Sequence, residues 1–128
     1  MTKRRDMVLV VDDDCAVRES LKFVLELEGL VVSVCGSGEE LLCHPDLDQA
    51  GCLVLDYKMP EMDGFEVLGH LAKRRLRLPV ILITPNANGN LRDRAKAAGV
   101  RHVLEKPLSD GTLRDRIADV LRNPEVAA

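Results

Sequence analysis

The sequence has no long apolar run and no large excess of charge of one sign. No segment approaches the roughly 20 apolar residues of a membrane-spanning helix, and the N-terminus lacks the apolar segment of a signal peptide. The 18 basic and 21 acidic residues give a formal net charge of −3, and the two signs alternate along the chain. We therefore expect a cytoplasmic protein that neither spans a membrane nor binds nucleic acid through this chain.

Cysteine is also scarce, and its spacing excludes the common metal and redox motifs. The four cysteines form no C-x-x-C pair, and no histidine lies at zinc-ligand spacing from two of them. Cys35 and Cys52 fall inside apolar runs. We expect both to be small core residues of a protein in a reducing compartment.

What the sequence does have is a series of five short apolar runs rich in Val, Ile and Leu. They do not alternate with polar residues, a pattern typical of strands that are buried on both faces of a parallel sheet. The predicted strands are residues 7–11, 31–35, 52–55, 80–83 and 103–104.

Segments with helical spacing of apolar residues separate these runs. Local signals predict where each helix starts or stops. The first helix is predicted to end at Gly29, and the second to begin with a Ser37–Glu40 capping box and to end before Pro45. The third is predicted over about residues 65–75, and the fourth over residues 91–98, with its stop at Gly99. Ser109 is the predicted cap of the fifth.

Five strand-helix units with short connections predict an α/β fold. Because crossovers between parallel strands are right-handed, we expect a five-stranded parallel doubly wound sheet in a (βα)5 three-layer sandwich. We expect one domain over residues 1–128, with a core at about residues 6–122 and no output domain after Leu121. Ligands of such sheets bind beyond the carboxyl ends of the strands.

Polar side chains gather at those predicted strand ends. Several carboxylates at one edge repel one another unless a cation holds them, and hard oxygen ligands suit Mg²⁺. A lysine and a hydroxyl nearby suit a dianionic phosphoryl group, and an aspartate can attack phosphorus to form an acyl phosphate. The residues are Asp12, Asp13, Asp14, Asp56, Thr84 and Lys106.

The motifs around these residues resemble one family over nearly the whole chain. They are Val-Val-Asp12-Asp13, Leu-Val-Leu-Asp56-Tyr-Lys-Met-Pro-Glu-Met-Asp-Gly64, Ile-Thr84 and Glu-Lys106-Pro107, in that order. Together they resemble the receiver domains of bacterial two-component response regulators. The resemblance implies a flavodoxin-like fold of the chemotaxis-regulator type. It also implies a signalling domain rather than an enzyme, which catalyses only its own phosphorylation and dephosphorylation with Mg²⁺.

The resemblance further implies roles for individual residues and a class of partner. The roles are Asp56 as phosphoacceptor, Asp12, Asp13 and Asp56 as the acids of the Mg²⁺ site, the Lys58 backbone carbonyl as a further metal ligand, Thr84 as the hydroxyl that moves toward the phosphoryl group, and Lys106 as the lysine that pairs with that group. A sensor histidine kinase or a phosphotransfer protein is the implied donor. A homodimer through the face of the fourth helix, fifth strand and fifth helix is a further candidate.

Two positions depart from the family's pattern. The residue after the threonine is usually small and is expected to donate its N–H to a phosphoryl oxygen, whereas Pro85 has no N–H. A Tyr or Phe that changes rotamer commonly lies three residues before the lysine, whereas Val103 is β-branched and has few rotamers. We predict weakened coupling of phosphorylation to the rest of the domain. The weak helix propensity of residues 86–90 also predicts a late start for the fourth helix.

Two other functions remain open. Pro85 and Val103 favour a receiver-like interaction module that acts without phosphorylation. A metal-dependent phosphohydrolase of the haloacid-dehalogenase type would carry a second acid two residues after the nucleophile, and Lys58 in that position argues against it. Part of the acidic run also has a structural explanation, because Asp14 is expected to cap the first helix.

Overall fold

The computed structural model describes residues 7–108 and 111–123. In these residues five strands alternate with five α-helices, and a short 3-10 turn at Leu47–Gln49 precedes the third strand. The elements are β1 (Met7–Val11), α1 (Cys15–Leu27), β2 (Val31–Cys35), α2 (Gly38–Leu42), β3 (Cys52–Asp56), α3 (Gly64–Lys73), β4 (Val80–Thr84), α4 (Gly89–Ala97), β5 (His102–Glu105) and α5 (Thr112–Arg122).

The strands form one parallel sheet in the order β2-β1-β3-β4-β5, which confirms the predicted architecture. Neighbouring residues of a strand point to opposite faces, so each central strand contributes to two separate apolar clusters. The helices α2, α3 and α4 pack into one cluster, and α1 and α5 pack into the other. The sheet is therefore the middle layer of three. Among the described helices, none has the length and hydropathy that a membrane crossing demands.

Burial on both faces holds for the central strands and fails at the edges. Every residue of β1, β3 and β4 is buried, and Cys35 and Cys52 are buried free thiols, as predicted. In β2 only Val32 and Cys35 are buried, and no residue of β5 is. The expectation for β2 and β5 was wrong because an edge strand has a neighbouring strand on one side only.

Three strands, β3, β4 and β5, end one residue further along the chain than predicted. Asp56 pairs in register with Ile83, and Thr84 pairs with Glu105. Asp56 and Thr84 are therefore the last residues of their strands, where the backbone ladder limits their movement, rather than the first residues of loops.

The helix N-termini are capped largely as predicted. Asp14 accepts the N–H groups of Ala16 and Val17 at 2.9 and 3.3 Å, which confirms its capping role. Ser37 accepts the N–H of Glu40 at 3.1 Å. The carboxylate of Glu40 accepts the N–H of Gly36 rather than that of Ser37, so only half of the predicted capping box forms.

The other helix boundaries agree with the sequence signals only in part. The late start predicted for α4 was wrong, because Asn88 accepts the Leu91 N–H at 2.8 Å and the helix begins at Gly89. The positive φ angles of Gly29 (+87°) and Gly99 (+86°) confirm the predicted stops of α1 and α4. Gly111 occupies the N-cap position of α5, and the predicted cap Ser109 lies outside the described residues.

Few contacts hold α4 against the rest of the domain. It buries only Leu91 and Ala95. On its outer side, the guanidinium of Arg94 lies 4.1 Å from the ring centroid of Phe65 in α3, and that ring meets Tyr57 edge-on at 5.3 Å. The stacking of Arg94 on Phe65 therefore adds to the burial of Leu91 and Ala95 in positioning α4.

We expect Arg94→Ala to accelerate amide hydrogen exchange in residues 89–97 by about two- to fivefold, because a cation–π contact at an exposed site contributes about 0.5–1 kcal/mol. Hydrogen-exchange mass spectrometry measures this. The matched control is Lys96→Ala, on the same helix and without such a contact among the described residues. Equal exchange in the two variants would show that the stacking does not hold α4.

Candidate functional site

The carboxyl ends of the strands meet at one edge of the sheet. There the connection after β1 leads to β2 on one side, and the connection after the neighbouring β3 leads to β4 on the other, so a crevice opens between the ends of β1 and β3. Asp12 follows β1, and Asp56 ends the neighbouring β3. Thr84 ends β4, and Lys106 follows β5.

Three of the predicted acids come together in this crevice. One carboxylate oxygen from each of Asp12, Asp13 and Asp56 lies within 4.8 Å of the others. Asp12 and Asp56 are each only 3% exposed, whereas Asp13 is exposed. The cluster is thus open to solvent on the side of Asp13.

Lys106 lies between the two buried acids. Its Nζ is 3.5 Å from Asp12 Oδ2 and 3.5 Å from Asp56 Oδ1. The backbone N–H of Lys106 donates to the Thr84 carbonyl at 2.8 Å, which ties the end of β5 to the end of β4. One ammonium therefore faces three carboxylates, and the crevice carries an excess of negative charge.

Thr84 is buried, and its hydroxyl already has a partner. Thr84 Oγ1 accepts the N–H of Asn86 at 3.2 Å. The intervening Pro85 has no N–H, so Asn86 supplies the first backbone donor after the strand. Our sequence reasoning missed Asn86, although a threonine two residues before a free N–H is a known signal for such a turn.

Lys58 lies exposed in the loop after β3. The backbone of the preceding Tyr57 is held by two hydrogen bonds. Its N–H donates to the Ile83 carbonyl at 2.7 Å, and its carbonyl accepts the Gly64 N–H at 2.9 Å. A Cβ at Gly64 would lie 3.1 Å from Tyr57 Cα, so glycine allows α3 to approach this loop closely. Lys58 also lines a cavity of about 210 Å³ together with Thr84, Pro85, Asn86 and Arg94.

The charges of the crevice act most strongly on Asp56. Burial, and after it the negative charge of Asp12, raises the pKa of Asp56 from 3.8 to about 6 against the opposing effect of Lys106. Asp56 Oδ1 is buried and has no hydrogen-bond partner within residues 7–108 and 111–123. This oxygen faces Lys106 Nζ at 3.5 Å but makes no hydrogen bond to it. Crowded carboxylates of this kind are ligands that suit a small divalent cation. The residues present therefore fit Mg²⁺.

Comparison with known proteins gives consistent matches. Residues 8–118 match the family described as "Response regulator receiver domain". The chain is 34% identical over 122 residues to the transcriptional regulatory protein FixJ of Bradyrhizobium diazoefficiens, covering 94% of this chain and 59% of that protein. It is 38% identical over 123 residues to the response regulator MprA of Mycobacterium bovis, covering 94% of this chain and 54% of that protein. The chain thus spans a little over half the length of these relatives.

A solved structure has the same fold along its whole length. The CheY-like response regulator receiver domain protein of Methanospirillum hungatei superposes with a TM-score of 0.84 at 29% identity, covering 98% of each chain.

The raised pKa of Asp56 predicts how stability depends on pH in the absence of divalent cations. The protonated carboxyl favours the folded state below about pH 4, and this advantage is lost as the pH rises through 6. Above that pH the ionised group destabilises the fold by up to about 3 kcal/mol. We therefore expect Asp56→Asn, in EDTA, to raise the free energy of unfolding near pH 7.5 and to change it little near pH 4.

Denaturant unfolding at the two pH values measures this difference. The matched control is Asp93→Asn, which changes an exposed aspartate on α4. An equal effect of Asp56→Asn at both pH values would contradict the expectation.

Proposed function

This chain belongs to the response regulator receiver domain family, and on that premise we propose that it is the phosphoacceptor of a two-component phosphorelay. It takes a phosphoryl group from a histidine kinase onto Asp56 and thereby switches the binding of a partner. The observation that carries this proposal is the grouping of the three carboxylates with Lys106 at one edge of the sheet. Residues 1–128 act as one receiver domain, with a core at about residues 6–122.

The transfer uses groups that the fold already holds at this edge. An oxygen of Asp56 forms a bond to phosphorus while the bond from phosphorus to the donor imidazole breaks and its electron pair stays on the nitrogen. The ammonium of Lys106, 3.5 Å from Asp56 Oδ1, offsets the charge that arrives with the phosphoryl group. The Thr84 hydroxyl donates to the Asn86 carbonyl at 3.4 Å, and this hydrogen bond must break before the hydroxyl donates to a phosphoryl oxygen.

The carboxylates of Asp12, Asp13 and Asp56 and the backbone carbonyl of Lys58 would hold Mg²⁺. When bound, the cation supplies positive charge that neutralises the phosphoryl oxygens. Without it, the negative excess of the crevice repels an incoming phosphoryl group. Phosphoacceptance is therefore expected to need the divalent cation.

The donor is a sensor histidine kinase or a phosphotransfer protein. The face formed by α4, β5 and α5 is the candidate homodimer surface. A cytoplasmic location is part of the proposal, since a reducing compartment would keep the exposed free thiols of Cys15 and Cys43 unpaired.

The second candidate is an interaction module that acts without phosphorylation. Val103 packs against the core and offers no aromatic ring that could change position, and the Thr84 hydroxyl is bound to Asn86. Both observations disfavour a conventional switch without affecting the acidic crevice. A phosphohydrolase is disfavoured by Lys58, which stands where such an enzyme would need an acid.

We expect Asp56→Asn to abolish labelling by acetyl phosphate in the presence of Mg²⁺, because the amide cannot serve as the nucleophile. Intact-mass spectrometry detects the added phosphoryl group. Asp14→Asn is the matched control, since it changes a neighbouring aspartate to a residue that also caps helices. Stoichiometric labelling that persists in Asp56→Asn would rule out this phosphoacceptor, and an unlabelled wild-type chain would favour the interaction module.

We expect only small changes in hydrogen exchange over residues 84–105 when a beryllofluoride mimic of the phosphoryl group binds. Pro85 offers no N–H to the group, and a buried acceptor without its donor forfeits about 1–3 kcal/mol. Pro85→Ala restores the N–H and should enlarge the change, with exchange in α1 as the internal reference. A large change in the wild-type chain that Pro85→Ala does not increase would contradict this explanation of Pro85.

A further inference from the structure

Asp12 is held by partners at each of its polar groups. Its N–H donates to the Cys35 carbonyl at 3.2 Å, and its Oδ1 accepts the Asp14 N–H at 2.9 Å. Its backbone carbonyl accepts a hydrogen bond from Arg18 Nη1 at 2.8 Å. Its other carboxylate oxygen lies 3.5 Å from Lys106. The orientation of Asp12 is therefore set from four directions.

Asp13 has no comparable support of its own. Within the part of the chain that the structure describes, its side chain makes no hydrogen bond or ion pair, although its carboxylate lies within 4.8 Å of those of Asp12 and Asp56. Its direction must come from the backbone. The Asp12 carbonyl belongs to the planar peptide unit that joins Asp12 to Asp13, so a group that holds this carbonyl also restricts the direction of Asp13.

The group that holds the carbonyl is Arg18, on the first turns of α1. Its guanidinium reaches back over the end of β1, where Gly36 leaves room for it. A Cβ at position 36 would lie only 3.1 Å from Arg18 Nη1. The hydrogen bond thus joins a donor on α1 to an acceptor directly after β1, and the glycine after β2 leaves the space that the donor needs.

The charge of Arg18 would by itself oppose a divalent cation at the acidic cluster. Charge repulsion and support of the peptide therefore have opposite effects on Mg²⁺ affinity. If repulsion dominates, removing Arg18 strengthens binding of the cation. If support dominates, removing it weakens binding.

We propose that Arg18 is a positioning residue of the metal site, which keeps Asp13 directed at the crevice by holding the Asp12 carbonyl. This role rests on the proposed function, since it requires Asp13 to support Mg²⁺ directly or through water. Loss of a group that orients a metal ligand typically weakens metal affinity by about 10-fold or more. We expect a loss of about this size in Arg18→Ala. Arg18→Lys retains a donor on a long side chain and should recover most of the affinity.

The experiment is a titration of the full chain with MgCl₂. Tyr57, the only tyrosine in a chain without tryptophan, directly follows Asp56 and reports binding by its fluorescence. Thermal unfolding without Mg²⁺ separates a structural loss from a loss of metal affinity. Lys22→Ala is the matched control, because it removes a positive charge from the same helix at a side chain whose one ion-pair partner among the described residues is Glu26.

The benchmark is Asp13→Ala, which should weaken binding of Mg²⁺. If the wild-type chain binds Mg²⁺ no better than Asp13→Ala, the proposed metal site fails and the role of Arg18 fails with it. If Asp13→Ala weakens binding but Arg18→Ala binds as tightly as the wild-type chain or more tightly, only the role of Arg18 is overturned. Weaker binding in Arg18→Ala, with affinity retained in Arg18→Lys and Lys22→Ala, supports it. If Arg18→Ala does not fold, Arg18→Gln replaces it in the titration. Weaker Mg²⁺ binding in Arg18→Gln then supports the role of Arg18, and unchanged or tighter binding overturns it.

Discussion

Two buried carboxylates share a single lysine at the carboxyl edge of the sheet, and most features of the crevice are consequences of this arrangement. Asp12 and Asp56 meet there because β1 and β3 are hydrogen-bonded neighbours that end together. The lysine reaches both from β5, across the end of β4. Burial and the neighbouring negative charge of Asp12 raise the pKa of Asp56 to about 6, so the ionised carboxylate is unfavourable in the free domain. Binding of a cation or protonation of Asp56 removes this unfavourable charge. Strongly shifted pKa values of this kind are typical of functional sites.

The helices around the crevice have side-chain caps at their N-termini, whereas one buried carboxylate oxygen in the crevice has no hydrogen bond to the residues that the structure describes. α1 caps itself through Asp14, α3 is capped by a complete box between Asp63 and Glu66, and α4 is capped by Asn88. Gly64 lets α3 approach the loop that follows Asp56. The buried Asp56 Oδ1 makes no hydrogen bond among the described residues and faces the ammonium of Lys106 at 3.5 Å. Such local exceptions to polar satisfaction are expected where a protein binds or reacts.

The departures from the family's pattern are Pro85, directly after β4, and Val103, in β5. Pro85 removes a backbone donor, the Asn86 N–H donates to the Thr84 hydroxyl, and the partly buried Val103 packs against the core. The aromatic contacts near α4 are instead those of the Phe65 ring, which meets the Tyr57 ring edge-on and carries the stacked guanidinium of Arg94. The proposed phosphoacceptance uses the groups of the crevice, whereas the proposed weakening of the switch concerns Pro85 and Val103. The two proposals therefore rest on different residues of this chain.

The sequence by itself determined the elements and their order. Short apolar runs predicted β1 and β2 to the residue, and Asp14, Gly29 and Gly99 marked helix ends, because these signals act within a few residues of chain. The acids at the strand ends predicted where a site would lie. Only the tertiary structure decided which strands lie at the exposed edges and that Lys106 lies between Asp12 and Asp56. It also decided that Arg18 donates to the Asp12 carbonyl, at the point where Gly36 leaves room for the guanidinium. These features depend on residues that lie far apart in the chain, and no local pattern encodes burial or distance in space.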